Sequence, residues 1–442
     1  MKKIIMSLTI IAMLSLSACK EAPEEVKKEN DILNSTQALD KDSYLKPSET
    51  GGKQSRNSNY EYLTLDEIRA QAEKTLNENG TNVTVEHVNI SSGNVMPTYK
   101  VEPYNKNFEE LSPLTEYLFG EEFTLDAPYC EYHKAGKSDT PGDPENPHDF
   151  ILYMGKELDF THSLVYHETG YAFYNAVTGT DPYRFTEFFP TEKRYRLDMG
   201  EELDGETYTM TDGSKWSVND AVEFSVSFCD TYFAPLEGDA FTYQVTDLRV
   251  KELGEGTGFV VELKRLDKNG NSYDDHYYYP NTQISRDMDG AYSEDNWIAR
   301  GCPWLYSSGI ELTFNGKEKV NSFMKTNTPT AGEVLDSGET LLSLDSAIKI
   351  ISASMADKAV YSFESAELEY YYVSLDCPGW DDPKSGHDES NMLSFADVEL
   401  RPYWAFTMPD CYHDTQGGED SIMVHYDSLF LVDAVTGELY VL

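Results

Sequence analysis

The clearest alternation of apolar and polar positions closes the chain. Ser428-Leu429-Phe430-Leu431-Val432 reads as a strand, Asp433-Ala434-Val435-Thr436-Gly437 as a turn, and Glu438-Leu439-Tyr440-Val441-Leu442 as the returning strand. An Asp that bonds its own backbone opens the turn, and a Gly free to take positive φ closes it. With apolar runs on both sides, the pattern predicts a hairpin.

A helical period sets in after Tyr60. Thr64 is placed as a cap, Asp66 and Glu67 fill the first turn, and Leu65, Ile68, Ala72 and Leu76 fall on one stripe. Val83 to Ile90 then alternates as a strand, and Met96 to Val101 returns after Ser92-Gly93-Asn94. The same phrase comes twice more. Trp216-Ser217-Val218-Asn219-Asp220-Ala221-Val222 opens a second helix and Leu342-Ser343-Leu344-Asp345-Ser346-Ala347-Ile348 a third. Similar strand openings follow each helix: Val85-x-x-Val88-x-Ile90, Val245-x-x-Leu248-x-Val250 and Phe363-x-x-Ala366-x-Leu368. Second strands come next, at Thr98 to Val101, Phe259 to Leu266 and Val398 to Phe406. The expectation is an α+β fold of repeated units, each one helix packed on a small antiparallel sheet. Pro103 to Lys215, between the first two units, is a β-rich middle segment. It has hairpins at Leu164 to Tyr174 and at Tyr208 to Trp216 around Asp212-Gly213. Asn269-Gly270 turns one strand of the second unit toward Tyr277 to Tyr279, and Asn327 to Glu339 reads as a linker.

Before the first helix the pattern is of another kind. Lys2-Lys3 precede an apolar stretch from Ile4 to Leu16, too short to span a bilayer as a stable helix. Leu16-Ser17-Ala18-Cys19 follows and resembles the lipobox of bacterial lipoproteins. That resemblance implies loss of residues 1–18 and a lipid on Cys19, the chain's one attachment to the membrane. Lys20 to Asn59 is charged, rich in Ser, Asn and Lys, and almost free of aromatics. It reads as a disordered tether with an end-to-end distance of roughly 35 Å.

Composition narrows the partners. The 442 residues carry a formal charge of −43, spread along the chain without a basic block after the first residues, so a phosphate backbone is repelled and nucleic acid is not an expected partner. The 31 Tyr suit half-exposed sheets, and equally suit surfaces that hold sugars or peptides. Beyond Cys19 the cysteines are Cys130, Cys229, Cys302, Cys377 and Cys411, an odd number with no C-x-x-C spacing. Cys377 and Cys411 lie in two loops of the same C-terminal region and form the candidate disulfide.

Most catalytic patterns do not assemble. His162 and His167 are five apart, which on a strand places them on opposite faces. Ser346-Ala347-Ile348-Lys349 and Ser322-Phe323-Met324-Lys325 match S-x-x-K without its companion motifs. Calcium is more open, although plain turns are the commoner reading of such stretches. Asp287-Met288-Asp289-Gly290 with Glu294, Asp295 and Asn296, and Asp267-Lys268-Asn269-Gly270-Asn271, offer hard oxygens but depart from the EF-hand pattern. The least ordinary loops are Cys377 to Asn391 and Pro409 to Ser421. Asp381, Asp382, His387 and Asp388 in the first, with His413 and Asp414 in the second, are candidate cation ligands or a recognition surface. No cofactor is indicated.

The C-terminal unit resembles a known module. Ser343-Leu344-Asp345-Ser346-Ala347-Ile348, Leu368-Glu369-Tyr370-Tyr371, Glu399-Leu400-Arg401-Pro402-Tyr403-Trp404-Ala405-Phe406 and Val432-Asp433-Ala434-Val435-Thr436-Gly437-Glu438 are similar to PepSY-like modules. They resemble in particular the ending of extracytoplasmic YycH/YycI-type regulators and of uncharacterised lipoproteins from Gram-positive anaerobes. Here a lipobox stands in place of a transmembrane helix. The resemblance implies a non-enzymatic role, binding or restraining an envelope partner, and transfers no catalytic residue. The expected organisation is a leader (1–18), the anchor and tether (19–59), a first unit with the β-rich segment (60–215), a second unit (216–336) and a PepSY-like unit (337–442). The expected protein is a lipoprotein on the extracytoplasmic face of the cell membrane that binds an envelope protein or peptide. The alternatives are a glycan- or solute-binding protein and a hydrolase.

Overall fold

Each of the three expected helix starts is built as a cap. Thr64 Oγ1 accepts from Glu67 N at 3.4 Å while the Glu67 carboxylate accepts from Thr64 N at 2.9 Å. Ser217 and Asp220 form the same reciprocal pair, and Ser343 Oγ accepts from Ser346 N at 3.2 Å. The computed structural model describes residues 56–75, 82–102, 108–134, 149–154, 162–168, 170–176, 191–254, 256–274, 304–306, 309–317, 319–326, 328, 330–354, 361–374, 398–407 and 429–441.

In chain order these form β1 (Tyr62–Leu63), α1 (Leu65–Thr75), β2 (Val83–Ile90), β3 (Thr98–Val101), α2 (Ser112–Phe119), β4 (Cys130–His133), β5 (Phe150–Tyr153), β6 (His162–His167) and β7 (Ala172–Ala176). Next come β8 (Thr191–Arg196), β9 (Thr207–Thr209), β10 (Lys215–Ser217), α3 (Val218–Phe228), β11 (Phe241–Glu252), β12 (Thr257–Asp267), β13 (Trp304–Tyr306), β14 (Ile310–Gly316) and β15 (Lys319–Lys325). The last are β16 (Ala331–Asp336), β17 (Leu341–Leu342), α4 (Leu344–Ser354), β18 (Tyr361–Ser374), β19 (Val398–Thr407), β20 (Leu429–Asp433) and β21 (Leu439–Val441).

The fold is α+β, and most of its strands gather into two large sheets. The first is antiparallel, in the order β4-β5-β6-β7-β15-β14-β12-β11-β8. The second is centred on the long antiparallel pair β18–β19. β2 runs parallel along β18, β13 pairs the far end of the same edge, β20 and β21 extend β19, and β3 joins β19 to β16.

This pairing departs from three separate units. The second and third units do carry a helix followed by two paired strands, α3 with β11–β12 and α4 with β18–β19. In the first unit β2 and β3 flank the third unit's strand pair on opposite sides. The expected boundaries at 215 and 336 also fall across hydrogen-bonded sheets, since strands of the middle segment share one sheet with β11, β12, β14 and β15, and β13 pairs with β18. Two strands by themselves are marginally stable, and β2 and β3 find their partners on the edges of β18–β19. The linker expected over 327–339 contains β16, whose backbone pairs with β3 through an irregular register. The middle segment also holds α2, started by Pro113 near its N-terminus and ended by Gly120 at φ 70°.

Apolar periodicity sets what each helix covers. Val218, Ala221 and Phe228 of α3 are buried against the first sheet, where the Phe224–Phe314 and Phe233–Phe323 rings meet at 5.1 Å. Leu65 and Ile68 of α1 and Leu344, Ala347, Ile348 and Ile351 of α4 are buried against the second. Trp404 on β19 is fully enclosed there and donates Nε1–H to Leu342 O at 2.8 Å. Trp216 is likewise in the core. The two sheets meet along β12 and β18: Asp274 N donates to Tyr370 O at 2.9 Å, and Lys264 pairs with Glu367 at 3.6 Å.

Candidate functional site

The densest chemistry among the described residues is a buried carboxylate with two cations. A π-helical turn (Cys229–Phe233) extends α3, and the chain then reverses through Gly238 and Asp239, both at positive φ, before β11. Glu237 is held in that reversal. Arg265 reaches it from β12 and Lys325 from the end of β15. Glu237 Oε1 accepts from Arg265 Nη2 at 2.8 Å, Lys325 Nζ at 2.8 Å and Thr328 Oγ1 at 3.1 Å, and Oε2 accepts from Tyr243 OH at 2.7 Å. Lys325 Nζ also donates to Gly170 O at 2.7 Å and Thr328 Oγ1 at 2.8 Å. The side chains of Glu237, Arg265 and Lys325 are 0% exposed.

Burial by itself pushes the Glu237 carboxyl up, but Arg265 and Lys325 outweigh it and hold the pKa at about 2. Burial lowers the Lys325 ammonium to about 8 despite Glu237. The Tyr243 hydroxyl lies far above its ordinary range, first through burial and then through the Glu237 charge. A carboxylate saturated by four donors is an ionic joint between elements. Its lone pairs are already engaged, so it is not poised as a base.

A second group lies on the first sheet. A bulge between Val245 and Asp247 changes which side chains of β11 face the core. Beyond it Leu248 and Val250 pack inward, while Asp247, Arg249 and Lys251 share the other face. Arg194 reaches Asp247 at 2.5 Å. Arg249 reaches Asp247 at 3.1 Å and Glu311 at 3.6 Å, and it also pairs with Glu262. Lys251 donates to Thr191 Oγ1 at 2.7 Å, and burial, reinforced by Arg249, brings its pKa down to about 8. Arg196 pairs with Glu364 and so continues the strip onto β18. On β19, Arg401 bridges Glu399 at 2.6 Å and Asp433 at 2.7 Å.

The sites singled out from sequence fare unevenly. Cys19, the leader and tether through residue 55, Cys302, Cys377, Cys411, Asp381, Asp382, His387, Asp388, His413, Asp414, the Asp287–Asn296 stretch and Tyr277 to Tyr279 lie outside the described residues. Cys130 and Cys229 are free thiols, Cys130 raised to about 11 by burial. Asp267 accepts from the backbones of Asn269 at 2.7 Å and Asn271 at 2.9 Å and from Asn271 Nδ2 at 3.0 Å, the arrangement of an Asx turn. Among the described residues no cluster of three His, Cys, Asp or Glu is arranged to hold a metal.

Both S-x-x-K matches are absorbed by packing. Ser322 bonds Thr313 at 2.6 Å while Lys325 serves Glu237; Ser346 accepts from Glu61 N at 3.0 Å while Lys349 pairs with Asp345. His162 stacks on Phe119 at 4.7 Å and His167 on Phe150 at 4.9 Å. Sequence reading missed the Glu237 joint. Its signal was present in the alternation, since Arg265 and Lys325 each stand two positions after a core residue, Leu263 and Phe323.

No family model matches the chain, and no curated protein does. A crystal structure of an uncharacterized protein from Eubacterium rectale ATCC 33656 is similar with a TM-score of 0.46 at 14% identity, over 81% of this chain and 90% of that one. A likeness of that degree assigns this chain neither a fold family nor an activity.

Proposed function

We propose that the chain is an exported lipoprotein, held on the extracytoplasmic face of the cell membrane by a lipid on Cys19. Its folded part is a non-enzymatic binding or regulatory module for an envelope protein or peptide. The observation that carries this reading is the order Lys2-Lys3, Ile4 to Leu16 and Leu16-Ser17-Ala18-Cys19, followed by a charged tether. The PepSY-like resemblance of the last hundred residues supports the regulatory side. A finer architectural reading goes with it: α3 with β11–β12 and α4 with β18–β19 are copies of one unit. The matching hydroxyl caps at Ser217 and Ser343 support that reading. The Tyr content favours a glycan or solute as a second class of ligand, although Trp216 and Trp404 are engaged in the core.

Fractionation tests the anchor. Cys19→Ala is expected to leave the membrane and appear as a freely soluble exported protein, and continued retention of that variant sinks the anchor. Crosslinking followed by pull-down from intact cells is expected to capture an envelope protein. Failure to capture one, together with a rise in melting temperature with sugars, reverses the order of the two readings.

A further inference from the structure

The edges of the two sheets are not equally guarded. Lys193 and Arg194 stand on the edge strand β8, and β2 turns Thr84, Glu86 and His87 outward. Such residues discourage pairing with another chain. The edge strand β16, Ala331-Gly332-Glu333-Val334-Leu335-Asp336, is different. Its consecutive Val334 and Leu335 are 55% and 47% exposed, the two most exposed large apolar side chains among the described residues. Both side chains lie where the register with β3 is irregular, and both are open to solvent. Among the described residues its one strand partner is β3, and the register irregularities there confine regular pairing to short stretches. Val95, beside the end of β3, adds a third exposed apolar side chain.

The surroundings select the occupant. Glu102, Glu333 and Glu339 are exposed around the strand, while Asp336 is engaged by Arg56 at 3.5 Å and Lys100 stands on the neighbouring β3. The whole chain carries −43, so a second copy brought edge to edge is repelled. We infer that β16 is a docking edge for an extended basic peptide segment of a partner protein. The segment adds as a strand beside Val334 and Leu335, with its cations toward Glu102, Glu333 and Glu339. This rests on the binding-module reading above and names the partner's chemistry. Backbone hydrogen bonds supply the pairing, Val334 and Leu335 supply apolar contact, and the acids reject segments of the wrong sign.

The test uses the full chain and two fluorescent heptapeptides, one alternating lysine with valine and one alternating glutamate with valine. Anisotropy at about 0.15 M salt, where exposed charges are screened beyond ~8 Å, reads binding. The lysine peptide is expected to bind and the glutamate peptide not to. Val334→Asp and Leu335→Asp are expected to weaken the lysine peptide at least tenfold with an unchanged melting temperature. Either variant adds negative charge, so attraction by charge alone predicts tighter binding instead. The inference is overturned if the lysine peptide fails to bind, if both variants bind it as the parent does, or if the parent is a dimer that the variants dissociate. Pull-down from cells separates the two levels: partner capture retained by Val334→Asp removes the edge but leaves the binding module, whereas no capture by the parent chain removes the module itself.

Discussion

Glu237 balances the cost of two buried cations, and the balance depends on its charge. Glu237→Gln leaves Arg265 and Lys325 enclosed without a counter-ion, so it is expected to cost about 3–5 kcal/mol, read from urea unfolding at neutral pH. Because the folded pKa is depressed from 4.5 to about 2, the stabilisation is fully present above the ordinary carboxylate range and is lost as pH falls through about 2. The gap in stability between the parent and Glu237→Gln is therefore expected to narrow steadily below pH 4.5. A gap constant down to pH 2 contradicts the assignment of charge. Gly437 is a second residue with a single physical demand. Its φ of 81° is left-handed, and a Cβ there meets the Tyr60 ring at 3.1 Å. Gly437→Ala is expected to destabilise by about 1–2 kcal/mol from the backbone alone, visible as a lower melting temperature.

At the scale of elements, caps and turns are the parts that the sequence specifies most directly. Thr64, Ser217 and Ser343 each bond a backbone amide three positions on, so the information lies within one helical turn. Removing the hydroxyl in Ser217→Ala is expected to cost about 1 kcal/mol, measured as a shift in the urea midpoint at unchanged slope. The closing hairpin was legible for the same reason. Asp433 accepts from Val435 N at 2.7 Å and Thr436 N at 3.0 Å, and β20 pairs with β21 around it. What the local pattern did not show is the other oxygen of Asp433, which is bound to Arg401 on β19. β16 was illegible as a strand. Its polar, turn-rich flanks look like a linker, and it is β3, distant in sequence, that gives its backbone a strand partner among the described residues.

For the molecule as a whole, the decisive fact is that the ends of the chain complete each other. β2 lies parallel along β18, β3 lies against β19, and β1 pairs with β17. The fragment 337–442, which sequence alone marks off as a unit, is therefore expected to remain unfolded by near-ultraviolet circular dichroism. Addition of a peptide spanning 56–102 is expected to restore its signal. A fragment that folds unaided contradicts the shared sheet. Between the sheets, the pair Arg196–Glu364 ties β18 to β8, and the pair Lys264–Glu367 with the hydrogen bond from Asp274 to Tyr370 fixes how β18 meets β12.

The sequence by itself determined the three helix starts, the closing hairpin and the α+β class. Each follows from residues within a few positions, where caps, turns and apolar periodicity act. Tertiary structure alone decided which strands lie side by side, that Arg265 and Lys325 converge on Glu237, and that β16 is an edge. These depend on segments far apart in the chain, and alternation tells a strand which face to bury without telling it which neighbour to take.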